Sequence, residues 1–332
     1  MINFSSERLK KIFSKFSDQK IMVIGDLMLD QYIWGRISRI SPEAPVPVVQ
    51  VESDSFRLGG SANVVSNVQS LGAQVIPVGL IGKDNAGEQL IQLFKERGLP
   101  VDGLIVDDSR PTTLKTRIIA HNQHVVRMDR ELCHPVPRSI EKKLFSYINE
   151  NLRTVGGIIL EDYNKGILMP HFIREIIRLA NEKEIMVFVD PKFEHFFEYQ
   201  NVTLFKPNRK EVMDRMGVRL ESGEDLDILG EKLLNKLQCR ALLITLGEEG
   251  MILFQSGKPS IQVPTRAVKV HDVSGAGDTV IAVIAVSMIS GASPEEAATI
   301  ANHAAGIVCG EVGIVPIHEE SLFQDLIENS VR

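Results

Sequence analysis

Short runs of apolar, often β-branched residues recur along the chain at positions 21–24, 75–81, 158–160, 185–189, 202–205 and 242–246. Between most of them lie segments whose apolar residues return every three or four positions: 62–71, 86–97, 139–152, 170–181 and 224–237. Runs that do not alternate are apolar on both faces of a strand, so each predicted strand is covered on both sides. Strands separated by helices read as a largely parallel sheet between helical layers. The last third closes with helices over 278–289 and 294–308.

Two regions depart from this rhythm. Residues 45–51 and 114–129 alternate apolar and polar positions, as half-exposed antiparallel strands do. His121-Asn122-Gln123 suits the turn of a hairpin. With no helix between them, these strands predict a small sheet over about 31–52 and 104–130 that projects from the main layer. Such a sheet can cover a site as a lid, pair with another subunit, or simply extend an edge. No repeat or low-complexity linker divides residues 1–332, which read as one domain.

Composition narrows the function. A net charge of −6 argues against a nucleic-acid partner, whose binding face is basic. Cys133, Cys239 and Cys309 have neither zinc-ligand spacing nor the makings of a disulfide framework, which points to a reducing cytoplasm. The first twenty residues pattern as an amphipathic helix with interspersed lysines rather than a signal peptide. The longest apolar stretch, 280–289, falls well short of the ~20 residues of a membrane span.

The chemistry concentrates in Asp272-Val273-Ser274-Gly275-Ala276-Gly277-Asp278-Thr279, which runs into the apolar stretch 280–289. A turn of small residues feeding a buried helix leaves backbone N–H groups at the positive end of the helix dipole, a natural seat for an anion. Glycines at 275 and 277 let a phosphate approach the backbone. Asp278 is repelled by such an anion. Taken alone, it reads equally as an acidic N-cap or as a base aligning a substrate hydroxyl with a transferred phosphoryl group. Neither a Walker A loop nor a protein-kinase catalytic loop occurs in the chain.

The Asp-x-Ser-Gly-Ala-Gly-Asp-Thr segment resembles the C-terminal signature of the ribokinase/PfkB carbohydrate kinases. Gly59-Gly60-Ser61-Ala62-Asn63 resembles their N-terminal glycine signature, and Gly25-Asp26-Leu27-Met28-Leu29-Asp30 ends the first strand where that family places a sugar-binding aspartate. The matches keep family order from residue 20 to about 315. Residues 25–32, 38–48, 162–166 and 189–192 further resemble the branch acting on D-glycero-β-D-manno-heptose 7-phosphate. Glu161 departs from that branch, where a serine is expected before Asp-Tyr.

The resemblance implies a ribokinase-like three-layer α/β/α sandwich with an antiparallel β lid, and ATP-dependent phosphorylation of the anomeric hydroxyl in ADP-heptose and lipopolysaccharide synthesis. It implies Asp278 as base and the amides of Gly275, Ala276 and Gly277 as anion hole. Asp30, Gly59, Gly60 and Asn63 would hold the sugar. Asn208, Thr245, Gly247, Gly250 and Asn302 would face the nucleotide, and Asn208 with Glu211 would organise Mg2+ through water. On chemistry alone, Asn208 and Glu211 read as a helix start, the 245–250 turn as a hairpin and Asn302 as helix packing. Asp272 and Ser274 match a monovalent-cation site of some relatives, leaving K+ open.

A substrate already carrying a phosphate needs cations. Lys165, Lys115, Arg117 and Arg127 are the candidates, with Arg36 and Arg39 behind them; arginine can grip phosphate with paired N–H groups. Relatives commonly pair through the lid, so a homodimer is expected. The alternatives are a kinase for another sugar, of the fructose or ribose type, and a non-catalytic sugar-binding regulator on the same scaffold.

Overall fold

The computed structural model describes residues 4–121, 123–218, 223–265, 273–311 and 313–330. Asn122 of the predicted hairpin turn and Asp272 of the predicted cation site lie outside the described residues.

The chain opens with α1 (Ser6–Phe13), whose N-cap Ser5 accepts a bond from the Arg8 N–H at 3.1 Å. β1 (Lys20–Gly25) runs almost directly into β2 (Leu27–Ile40), which turns back as β3 (Pro47–Gly60). Next come α2 (Ser61–Ser70), β4 (Gln74–Ile81), α3 (Asn85–Glu96), β5 (Leu104–Val106), β6 (Thr113–Ala120) and β7 (Gln123–Arg130). The middle alternates as α4 (Arg138–Asn151), β8 (Gly157–Glu161), α5 (Pro170–Glu182), β9 (Met186–Asp190) and β10 (Leu204–Phe205). After α6 (Arg209–Met216) and α7 (Gly223–Leu237) come β11 (Ala241–Thr245), β12 (Met251–Gln255) and β13 (Ile261–Val263). Three helices finish the chain: α8 (Ala276–Ile289), α9 (Pro294–Cys309) and α10 (Glu319–Ser330).

Among the described residues the main sheet has nine strands in the order β13-β12-β11-β10-β9-β8-β1-β4-β5. It is parallel from β11 to β5 and antiparallel at the β12 and β13 edge. Its strands bury both faces. Ile21, Val23 and Ile159 join one core with α1, α2, α3, α8, α9 and α10, while Met22, Ile24, Ile158 and Leu160 join the other with α4, α5 and α7. Adjacent residues point to opposite sides, so both cores fill only if the runs do not alternate. The three layers expected from the sequence are present. No helix among the described residues is long and apolar enough to cross a membrane.

The small sheet, in the order β3-β2-β6-β7, redraws the expected lid. It occupies 27–60 and 113–130, because β2 begins right after β1 with Leu27, Met28 and Leu29 buried. The short β5 belongs instead to the main sheet, paired in parallel with β4. One face of the small sheet is charged. Asp30 lies opposite Arg57 and Lys115, Tyr32 opposite Arg117, Lys115 opposite Asp129 and Arg117 opposite Arg127.

Gly230 in α7 tests how closely the outer helix sits on the sheet. A Cβ there would lie 2.3 Å from Cζ of the buried Phe254 ring. Alanine favours a helix by about 1 kcal/mol over glycine, but overpacking a filled core costs about 1–3 kcal/mol. Gly230→Ala is therefore expected to lower stability, read as a fall in the urea midpoint with unchanged slope; a rise would mean that Phe254 yields freely.

Candidate functional site

Parallel register gathers side chains that are far apart in sequence. Gly25, Glu161 and Asp190 are neighbours at the carboxyl ends of β1, β8 and β9, and Lys206 follows β10 beside Asp190. Carboxyl ends of parallel strands are where open α/β sheets bind ligands. Helix α8, buried along 278–288, packs against β8 and β9 and brings its N-terminus to the same edge.

Asp278 is the third residue of α8 and 5% exposed. Its Oδ2 accepts a bond from Asn63 Nδ2 at 2.7 Å and its Oδ1 one from the Tyr163 hydroxyl at 2.9 Å. Burial pushes its pKa up to about 6, helped by the charge of Asp190; the bonds from Asn63 and Tyr163 and the charge of Lys206 pull the other way. Gly275 caps the helix with φ +80°, in the left-handed region, and a Cβ there would come within 2.8 Å of Asn63 Nδ2. The Ala276 N–H donates to the Val273 carbonyl at 3.3 Å, a long bond that an anion can replace.

Around Asp278 the structure assembles groups to which the sequence reading gave no role. Lys206 Nζ lies 2.7 Å from Asp190 Oδ2, both buried. Burial alone would lower the Lys206 pKa, but Asp190 and Glu161 outweigh it and hold the lysine charged. Lys192 Nζ lies 3.1 Å from Glu211 Oε1 and 4.9 Å from the centre of the Tyr163 ring. Glu161 is buried with neither carboxyl oxygen hydrogen-bonded, and burial followed by the charges of Asp190 and Asp278 lifts its pKa far above the usual carboxylate range. Asp26 Oδ2 accepts from the Tyr163 and Lys165 N–H groups at 2.8 and 3.1 Å, fixing the loop that presents Tyr163. Burial and the charge of Asp162 raise Asp26 to about 7.

The predicted sugar residues fall into two linked groups. Asp30 is buried and ion-paired with Arg117, and a Cβ on Gly59 would collide with its Oδ2 at 1.9 Å. Gly60 (φ +56°) turns the chain from β3 into α2, placing Asn63 one helical turn on, against Asp278. Lys115, Arg117 and Arg127 share the charged lid face with Asp30, and Lys165 reaches its edge. Each has a carboxylate partner: Lys165 lies 2.7 Å from Glu131, Lys115 3.6 Å from Asp129, and Arg127 3.0 Å from Asp129. Arg36 pairs with Glu52 on an exposed stretch of β2, where Arg39 is also exposed.

A cleft of about 690 Å³ opens beside Asp278 and is lined by Tyr163, Asp190, Lys192, Lys206 and the 275–278 turn. Asn208, Thr245, Gly247, Gly250 and Asn302 line it as well. Gly247 and Gly250 have φ +64° and +93°, which explains glycine at both. Asn302 Nδ2 donates to the Pro264 carbonyl at 2.8 Å. Asn208 and Glu211 form the capping box of α6: Asn208 Oδ1 accepts from the Glu211 N–H, and Glu211 Oε2 from the Asn208 N–H, each at 2.9 Å. Each of those oxygens keeps a lone pair, through which the pair could hold water around a magnesium ion. Ser274 lies in the turn before α8; its proposed partner Asp272 is outside the described residues.

Residues 18–319 match the family described as pfkB family carbohydrate kinase. The chain is 41% identical over 307 residues to the bifunctional protein HldE of Geobacter sulfurreducens, covering 92% of this chain and 63% of that protein. It is likewise 41% identical over 295 residues to HldE of Helicobacter pylori, covering 89% and 64%. The chain thus spans less than two thirds of these relatives. Its fold is similar to phosphofructokinase-2 of Escherichia coli in complex with substrates and products (TM-score 0.78, 18% identity, 95% and 100% of the two chains). It is also similar to Arabidopsis thaliana ribokinase complexed with ribose and ATP (TM-score 0.73, 20% identity, 93% and 98%).

The raised pKa of Asp278 carries a stability signature. Between its ordinary value of 3.8 and about 6, the folded chain holds a proton that the unfolded chain releases, so this group's contribution to stability falls as pH rises through that window. Asp278→Asn is expected to be more stable than the parent above pH ~6, by up to roughly 3 kcal/mol, with the gain vanishing towards pH ~4. Unfolding midpoints measured across pH check this. A constant difference would mean that Asp278 is not buried as a charge.

Proposed function

The chain belongs to the pfkB family of carbohydrate kinases, and from that premise we propose that it moves the terminal phosphoryl group of ATP onto the anomeric hydroxyl of D-glycero-β-D-manno-heptose 7-phosphate. The product is the 1,7-bisphosphate, an intermediate on the way to ADP-heptose and lipopolysaccharide. The observation that carries the reading is Asp278, held by Asn63 and Tyr163 at the N-terminus of α8, where the cleft meets the segment leading from the charged lid.

Asp278 is ionised at neutral pH and takes the proton of the sugar hydroxyl as its oxygen bonds to the γ-phosphorus and the bond to the leaving β-phosphate oxygen breaks. Asn63 and Tyr163 keep the carboxylate aimed, so little reorganisation accompanies the transfer. Charge on the migrating group meets the α8 amides, led by Gly277, and the ammonium groups of Lys206 and Lys192 at the cleft wall. The Asn208–Glu211 cap would hold the water around a magnesium ion, which would supply further neutralising charge to the phosphates.

Asp30 and Gly59 form the sugar floor. Lys115, Arg117, Arg127 and Lys165 give the lid a cationic face suited to the phosphate of the substrate, with Asp129 and Glu131 keeping these side chains in place until a dianion replaces them. The heptose reading rests on this face and on the resemblance of residues 25–32 and 38–48 to the heptose-phosphate branch. The opposite lid face exposes Val126 (46%) and Met128 (51%), which supports pairing with a second copy. Sedimentation should give a dimer; a monomer at micromolar concentration would remove that part of the reading.

A mass-resolved assay with MgATP and a panel of sugars and sugar phosphates tests the proposal. Heptose 7-phosphate should be turned over far faster than ribose, fructose or their phosphates. Asp278→Asn should lose turnover by at least about 10²-fold while still binding both substrates. Efficient turnover of an unphosphorylated sugar with none of the heptose phosphate would move the substrate to another sugar. Nucleotide and sugar binding without any transfer would favour the regulator.

A further inference from the structure

We propose that Glu161, Asp190 and Asp278 form a divalent-cation site of their own, distinct from the Asn208–Glu211 helix cap. One carboxylate oxygen from each lies within 4.8 Å of the others. Parallel register makes the first two immediate neighbours on β8 and β9, and α8 lowers the third onto them. The cluster alone would be only an acidic patch. What points to a ligand is Glu161, 1% exposed, with both carboxyl oxygens buried and neither hydrogen-bonded.

Charge argues the same way. Lys206 is taken by Asp190 at 2.7 Å, and Lys192 by Glu211 at 3.1 Å, so neither is dedicated to Glu161 or Asp278. A hard dication drawing carboxylate oxygens to about 2.0–2.6 Å would meet that need. Asp278 can contribute without losing Asn63 or Tyr163, because each carboxylate oxygen retains a second lone pair. Asp190 and Asp278 line the cleft, which gives the ion a way in. The use of the ion, neutralising the bay beside Asp278, rests on the kinase reading; its binding does not.

Titration of the full chain with Mn2+ in the absence of nucleotide and sugar, following the free-ion signal by electron paramagnetic resonance, separates the two. One Mn2+ per chain is expected. Glu161→Gln, a near-isosteric change, should weaken it by more than the roughly 100-fold that is the upper cost of losing an outer partner, whereas Glu211→Gln should leave it unchanged. Glu161→Ser gives the same reading should the glutamine variant fail to fold. The site is overturned if Mn2+ does not bind without nucleotide, or if a folded Glu161 variant binds it as the parent does. Either result leaves the sugar-panel outcome, and with it the kinase reading, untouched.

Discussion

A carboxylate taken out of water takes up a proton unless donors hold its charge, and the arrangement of this chain turns on how Asp278 meets that condition. Two neutral donors reach it from different parts of the sequence: Asn63 at the start of α2 and Tyr163 in the loop after β8. They offset only part of the burial, leaving a group that is basic enough to accept a proton yet charged at neutral pH. α2 and α8 must therefore pack side by side, and the Asp26 carboxylate must pin the Tyr163 loop. The carboxyl edge of the sheet is organised around these requirements.

The same packing joins the two sheets. β2 begins within two residues of the end of β1, and β3 returns through Gly59 and Gly60 straight into α2. The residue beside Asp30 and the residue holding Asp278 are thus four positions apart on one continuous stretch, Gly59 to Asn63. Lid and base communicate through backbone, with no flexible linker between them.

Much of this could be read in advance. Helices at 62–71, 86–97 and 170–181 appear within a residue of Ser61–Ser70, Asn85–Glu96 and Pro170–Glu182, because a one-sided core leaves a clear apolar stripe. The glycine turn and Asp278 were legible because their chemistry is local. β2 was not: its first residues carry the sugar motif and are buried by the main core, and the alternation read from the sequence began only at residue 45, next to β3. β13 escaped and β12 was announced only by reading the 245–250 turn as a hairpin, because an antiparallel edge needs no helical crossover to announce it. Glu161, Asp190 and Lys206 were invisible as a group, since only strand register aligns them. Pairing of the lid cations with Glu131 and Asp129 depends likewise on cross-strand neighbours that spacing alone does not reveal.

Arg57 carries the connection to the far end of the chain. From β3 it donates to the Ile314 carbonyl at 2.9 Å, and three residues on, the Ile317 N–H donates to Asn67 Oδ1, which also accepts from Thr279 beside the base. Asn67 Nδ2 in turn grips the Asn63 carbonyl at 2.9 Å. The segment after α9 is therefore tied both to the small sheet and to α2 in the core. Any displacement of the small sheet relative to α2 would have to carry this segment along or break the Arg57 bond, so the C-terminal part of the protein helps fix how the two sheets sit together.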